Sequence, residues 1–264
     1  METGRFAGLV ALVTGGGRGV GRAVCETLAR EGARVVPFAR NAAEVRAVAD
    51  AAGEWGTEGL AVVGDVARYA DVERAVEQLL ARWGRLDVVV NAAGIVAPIG
   101  RTWEVDPAAW EQNIAANLVG AFNVCRAALP TLVRRGSGSI VAVSTGAARS
   151  PIANMGAYCA AKAGVDHLTR VLAEELRGTG VRANVVYPGV VDTAMQAELR
   201  GTEAARFGAE NLARFRGFRE QGKLRAPAEP AALIAWVAAQ PDLHGELLSI
   251  DDPQVAARAG LAHA

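Results

Sequence analysis

An apolar run, Leu9-Val10-Ala11-Leu12-Val13, ends in Thr14-Gly15-Gly16-Gly17-Arg18-Gly19-Val20-Gly21, and a segment with helical periodicity through Val24, Leu28 and Ala29 follows. This reads as strand, glycine turn, helix. Glycines at 15, 19 and 21 let the chain turn sharply, bring backbone N–H groups close to a pyrophosphate, and let the helix pack tightly on the strand. The start of the helix adds partial positive charge. A glycine cluster alone is weak evidence; its strand-to-helix setting at the head of an alternating chain gives it weight.

The alternation runs the length of the chain. Strands are predicted at Leu9–Thr14, Arg34–Phe38, Leu60–Gly64, Leu86–Asn91, Ser139–Ser144, Arg182–Tyr187 and Glu246–Ile250. Each is too apolar to be buried on one face only, which implies a parallel sheet covered on both sides. Helices are predicted near Gly19–Glu31, Asn41–Trp55, Tyr69–Trp83, Pro107–Leu132, Ala157–Leu176 and Pro230–Ala239. The fold class is therefore α/β: one Rossmann-type, doubly wound domain spanning residues 1–264, with about seven strands. Ligands of such sheets bind at the carboxyl ends of the strands, where Thr14, Asp65, Asn91, Ser144 and Pro188 fall. The one long interruption, 192–227, has helical character and is expected to be a mobile substrate lid.

Tyr158 and Lys162 stand four residues apart, a spacing that places phenol and ammonium on one face of a helix. A fixed positive charge favours the phenolate and draws its pKa from about 10 toward the working range of an acid–base group. Only two of the 28 basic residues, Lys162 and Lys223, are lysines, so a lysine here goes against the compositional trend. An ammonium concentrates several donors at one compact point, whereas guanidinium is planar and forked.

Composition narrows the function. The formal net charge is zero, which gives no reason to expect nucleic acid or an anionic membrane as a general partner. The N-terminal apolar run, Phe6 to Val13, is eight residues long and leads into the glycine turn, so neither a signal peptide nor a transmembrane span is expected. Cys25, Cys125 and Cys159 lack metal-ligand or CxxC spacing and suit reduced thiols in a cytoplasmic protein. No metal site is expected, and His167 and His244 are not expected to be catalytic. No Gly-x-Ser-x-Gly elbow is present, which argues against a hydrolase.

With these residues in hand, the chain resembles the classical short-chain dehydrogenase/reductase family over nearly its whole length. The resemblance is carried by Thr14–Gly21, by Asn91-Ala92-Ala93-Gly94, by Tyr158–Lys162, and by Pro188-Gly189-Val190-Val191-Asp192-Thr193. It implies that Gly15, Gly17, Arg18, Gly19, Val20, Gly21, Asp65, Val66, Ala92, Gly94, Pro188, Gly189, Val191 and Thr193 hold a nicotinamide cofactor together with Thr14, Asn91, Tyr158 and Lys162. Asn117 matches a family asparagine that helps hold a water connecting the lysine to solvent. The family's substrate-orienting serine lies thirteen residues before the tyrosine, where this chain has Thr145. The gap-free match favours Thr145, with Ser144 as the alternative if the strand end shifts by one residue. Family members that prefer NAD carry an acid at the end of the second strand, but here Ala39 is followed by Arg40. Arg40 and Arg18 suit a 2′-phosphate, which favours NADP(H) over NAD(H).

The resemblance implies hydride transfer between nicotinamide and a carbonyl or secondary alcohol, as in 3-oxoacyl or general ketone and aldehyde reductases. Two other readings are a redox-sensing NADP-binding regulator without turnover, which would commonly lack the Tyr–Lys pair, and a sugar-nucleotide epimerase, which the glycine spacing and short C-terminal part disfavour. Trp103, Asn154, Met155, Met195 and Phe207 fall on loops that border the pocket in the family. The lid arginines Arg200, Arg206, Arg214, Arg216 and Arg219 are read as a solvated face, with an anionic substrate or acyl carrier as the sharper alternative. Asp251-Asp252-Pro253 replaces the family's usual Asp-Gly-Gly. The helices carrying Trp110, Ile114, Leu118, Phe122 and Leu129, and Val165, Leu168, Val171 and Leu172, are apolar on more than one face, so a homodimer or homotetramer is expected.

Overall fold

The computed structural model describes residues 4–261. Seven strands, β1 (Val10–Thr14), β2 (Arg34–Ala39), β3 (Val62–Val63), β4 (Val88–Asn91), β5 (Gly138–Val143), β6 (Val181–Tyr187) and β7 (Leu247–Ser249), form one sheet in the order β3-β2-β1-β4-β5-β6-β7. Every neighbouring pair is parallel. The chain moves outward from β1 to β3, then returns to the other side of β1 with β4. That reversal opens a crevice above the β1–β4 pair.

Helices α1 (Gly19–Arg30), α2 (Ala42–Ala51), α3 (Tyr69–Trp83), α4 (Pro107–Ile114), α5 (Gly120–Arg135) and α6 (Gly156–Glu175) follow the first five strands, with α4 and α5 joined through a π turn at Ala115–Val119. The segment expected as a lid is largely helical: α7 (Ala194–Gly201), α8 (Ala204–Phe207) and α9 (Ala209–Glu220). Gly208, at φ +87°, separates the last two. Helices α10 (Ala228–Ala239) and α11 (Pro253–Arg258) complete the chain. The altered tail is the start of α11: Asp252 caps it by accepting from Gln254 N at 2.9 Å and Val255 N at 3.4 Å, and Pro253 supplies the preset φ of a first turn.

Both faces of the sheet are dry. Ala11 and Val13 point into one core with Val24 and Leu28 of α1 and Leu233, Ile234 and Val237 of α10. Val10 and Leu12 point into the other with Val72, Val76 and Leu79 of α3 and Val124, Ala128 and Leu132 of α5. Leu28 and Leu79 are wholly buried, each contributing on the order of 1.5–3 kcal/mol. This explains the continuous apolar strands, since a strand with no wet face cannot alternate. Pro107–Arg135 is the one helix among the described residues long and apolar enough to cross a bilayer, yet it packs its inner face on α3 and the sheet as a core helix does. The structure departs from expectation at the edges. Strand β3 keeps two of five expected residues, and the second helix ends in a 3₁₀ turn at Ala52–Trp55 closed by Gly56.

Candidate active site

The parallel registers bring the carboxyl ends of the central strands level: Thr14 pairs with Phe38 and with Asn91, and Asn91 pairs with Ala142. Above them lies a cavity of about 1160 Å³. It is lined by Gly15, Gly17, Arg18, Gly19, Val20, Gly21, Arg40, Asp65, Val66, Ala92, Gly94, Ser144, Thr145, Tyr158, Lys162, Pro188, Gly189, Val191 and Thr193, and so unites nearly all of the expected site. Three expected residues lie under its floor instead. Thr14 is 1% exposed; its hydroxyl accepts from Ala92 N and Ala93 N, both at 3.2 Å, and so braces the loop after β4 against β1. Asn91 and Asn117 are buried as well.

The phosphate end is built from backbone. Gly15 adopts φ +66°, and a Cβ on Gly21 would stand 2.3 Å from the Gly15 carbonyl oxygen, so only glycine allows α1 to start this close to the turn. Helix α1 has no side-chain cap and no acid in its first turn, which leaves its N–H groups to meet an anion. These features fit a dinucleotide pyrophosphate. Arg18 and Arg40 are exposed and line the same end, where Ala39 offers no carboxylate. Asp65 lines the wall too, and its Oδ1 also accepts from Ala67 N at 3.0 Å, capping the turn ahead of α3. Glu44, which the sequence reading passes over, lies on the same wall against Gly17. Its only sequence signal is its place in the first turn of α2, after the Asn41 cap.

The reactive end is more enclosed. Tyr158 is 8% exposed on α6, and burial pushes its phenol up to about 12, opposed by a hydrogen bond with Thr145 and reinforced by Cys159. Nζ of Lys162 donates to the Val143 carbonyl at 2.8 Å, and its own pKa falls from 10.5 to about 8 through burial, with the Asp166 carboxylate opposing the fall. Thr145 sits on extended backbone after β5, and its Oγ1 accepts from Ala147 N at 3.3 Å. Ser144 also lines the cavity, but its hydroxyl is buried without a hydrogen-bond partner. Of the two hydroxyls, that of Thr145 is the one that opposes the rise of the Tyr158 phenol.

Beneath the floor a second cavity of about 10 Å³, close to the size of one water site, is lined in part by Thr14, Asn91, Asn117 and Lys162. Oδ1 of Asn91 is buried there without a partner, which suits an ordered water. Asn117 lies in the π turn; its Oδ1 accepts from Ile95 N at 3.2 Å, and its Nδ2 lies 2.9 Å from Ile95 O and 2.8 Å from Asn113 Oδ1. Asn113, missed in the sequence, holds the same loop through the Ala97 carbonyl at 2.6 Å. One turn beyond Lys162, Asp166 accepts from the Tyr187 hydroxyl at 2.5 Å in a buried pair, and Arg149 covers the Tyr187 ring.

Comparison with known proteins agrees with this geometry. Residues 9–204 match the short chain dehydrogenase family, to which the chain belongs. It is 36% identical to 2,3-dihydro-2,3-dihydroxybenzoate dehydrogenase of Escherichia coli over 93% of this chain and 95% of that one. It is 33% identical to human 3-oxoacyl-[acyl-carrier-protein] reductase over 92% and 96% of the two chains. The crystal structure of a short chain dehydrogenase/reductase from Saccharomyces cerevisiae superposes with a TM-score of 0.86 at 30% identity, covering 94% of this chain and 98% of the other. The protein is an NAD(P)-dependent oxidoreductase acting on alcohol and carbonyl groups.

The Asp166 field gives a pH test. If protonated Lys162 supports turnover, activity is lost as pH rises through its pKa, depressed by burial to about 8. Asp166→Asn removes the negative charge that opposes this depression, so the alkaline limb of the kcat/KM profile moves to lower pH. Tyr187→Phe keeps the carboxylate, with Arg149 and Arg170 still nearby, and does not move the limb in that direction. A loss of rate at every pH with the limb in place would mean that Asp166 serves packing alone.

Proposed function

We propose that the chain is an NADP(H)-dependent reductase of ketones or aldehydes, of 3-oxoacyl or general carbonyl type, working in the cytoplasm as a homodimer or homotetramer. The observation that carries this reading is the buried phenol of Tyr158 beside the Thr145 hydroxyl in one cavity with the uncapped start of α1. NADP(H), when bound, supplies or accepts hydride at nicotinamide C4. Thr145 Oγ1 orients the substrate oxygen. Tyr158 Oη, whose high pKa keeps it protonated at neutral pH, gives a proton to the developing alkoxide. Lys162 holds the nicotinamide ribose, and Asn117 with the cavity beneath it carries the replacement proton toward solvent. The 192–227 segment serves as the lid.

Arg18 and Arg40, with Ala39 in place of an acid, support the choice of NADP(H). The free thiols Cys25, Cys125 and Cys159 support a reducing compartment. Phe122, 49% exposed on α5, and Val171, 41% exposed on α6, support a helix-face contact between subunits. Light scattering at micromolar concentration should give a multiple of 27.4 kDa; a monomer mass would exclude the contact.

Two substitutions test the chemistry. Tyr158→Phe should lower carbonyl reduction by roughly 10²-fold or more while cofactor still binds, and Thr145→Ala should be more damaging than Ser144→Ala. Oxidation of the reduced cofactor, followed by absorbance over a carbonyl panel, decides this, and full activity in Tyr158→Phe would remove the reductase reading. Arg40→Asp deletes a phosphate partner and adds a like charge, so the NADPH:NADH ratio of kcat/KM should shrink or invert. An unchanged ratio would assign the phosphate to other groups.

A further inference from the structure

The arginines between α6 and α10 do not behave alike. Arg206, Arg214 and Arg216 are exposed, as solvated charges are, and Arg219 is exposed at the cavity's edge. Arg200, in the last turn of α7, is withdrawn: its side chain keeps 10% exposure and its Nη1 is buried without a hydrogen-bond partner. Among the described residues its one carboxylate neighbour within 4 Å is Asp192, at 3.7 Å from Nη2, too far for a good hydrogen bond and itself 64% exposed. One turn earlier, Gln196 Oε1 is also buried and unpartnered.

Both residues line the cavity that holds Tyr158. Between and beside them on α7, Leu199 and Met195 pack into the apolar cluster that includes Tyr158, Phe207 and Phe215. Arg200 and Gln196 therefore border the substrate end. The phosphate end already has Arg18, Arg40 and the uncapped N–H groups of α1. A guanidinium removed from water is costly unless an anion and hydrogen bonds compensate it, and its planar fork matches a carboxylate. The apolar cluster beside it suits a ring or a compact hydrocarbon body.

We propose that Arg200 is a specificity residue that binds a carboxylate carried by the substrate, with Gln196 Oε1 accepting from a neighbouring hydroxyl. The substrate class is then an aryl or alicyclic carbonyl compound, or the corresponding alcohol, bearing a carboxylate. This rests on the reading in which Tyr158 reduces a carbonyl.

The test uses the full chain with NADPH and three acid–ester pairs: benzoylformate, 3-acetylbenzoate and 4-acetylbenzoate, each beside its methyl ester. In the wild type at least one acid should exceed its ester tenfold or more in kcat/KM. Arg200→Met should cut that acid-to-ester ratio at least tenfold, chiefly through KM, and Arg200→Lys should fall between. Reduction of the esters without preference for any acid overturns the inference and leaves the reductase reading intact. A rise in the KM for NADPH in Arg200→Met, with equal loss on acid and ester, assigns the guanidinium to the cofactor's phosphates and likewise overturns it. Failure of the wild type on every pair overturns the reductase reading instead. Binding then decides the inference: the acids but not the esters raise Tm in the wild type and not in Arg200→Met if it holds, and raise Tm equally in both if it does not.

Discussion

The parting of the chain at β1 and β4 is the constraint on which the site depends. Because β2 and β3 lie on one side of β1 and β4 to β7 on the other, the loops leaving β1 and β4 diverge and cannot fill the space between them. Thr14 fixes the width of that gap, its single hydroxyl oxygen accepting from two consecutive N–H groups after β4. The glycine turn rises from one lip, and the loop carrying Gly94 rises from the other. A parallel sheet buried on both faces holds this arrangement, since a one-residue slip in β1 or β4 would exchange the rows that pack against the two helix layers and displace the turn.

Burial then sets the electrostatics. Taking Tyr158 and Lys162 out of water favours the neutral form of each, raising the phenol and lowering the amine, so proximity alone does not produce a phenolate–ammonium pair. Thr145, after β5, and Asp166, on α6, act against the two shifts. The Val143 carbonyl holds the amine in place without supplying a countercharge. A proton donor matched to a developing alkoxide needs this balance: a phenol that stays protonated until charge appears on its neighbour, and an amine close enough to titration to pass a proton on.

The sequence displays the sheet because each strand is apolar throughout, and it displays the site where glycine or the Tyr–Lys spacing imposes a backbone requirement. Thr145 is legible by spacing, and it lines the cavity with Tyr158, as its neighbour Ser144 also does. What escapes is whatever depends on neighbours distant in the chain. Strand β3 shrinks because only β2 supports it. Nothing in Ala115–Val119 distinguishes a π turn from an ordinary helix, yet that turn carries Asn117. Thr14 and Asn91 read as cavity residues because they end strands, whereas the Thr14 hydroxyl meets the loop after β4 and the Asn91 amide turns to Cys125 of α5. Asp252-Pro253 is a helix-start signal that the comparison with a family tail obscures.

Helix α7 shows why the two ends of the cavity act as one unit. Its N-cap, Thr193, lies against the glycine turn, so close that a Cβ on Gly19 would stand 3.3 Å from its methyl group. Two turns later, Leu199 packs in the cluster that contains Tyr158. A displacement of α7 therefore changes the phosphate wall and the substrate wall together, because the eight residues between Ala194 and Gly201 form one rigid turn-linked element. Arg206, Arg214 and Arg216 remain in water and Arg225 is paired with Glu229 and Asp251, while Arg200 on this doubly anchored helix is drawn inward. Charge count alone cannot separate them, since a buried guanidinium differs from a solvated one only in what packs around it.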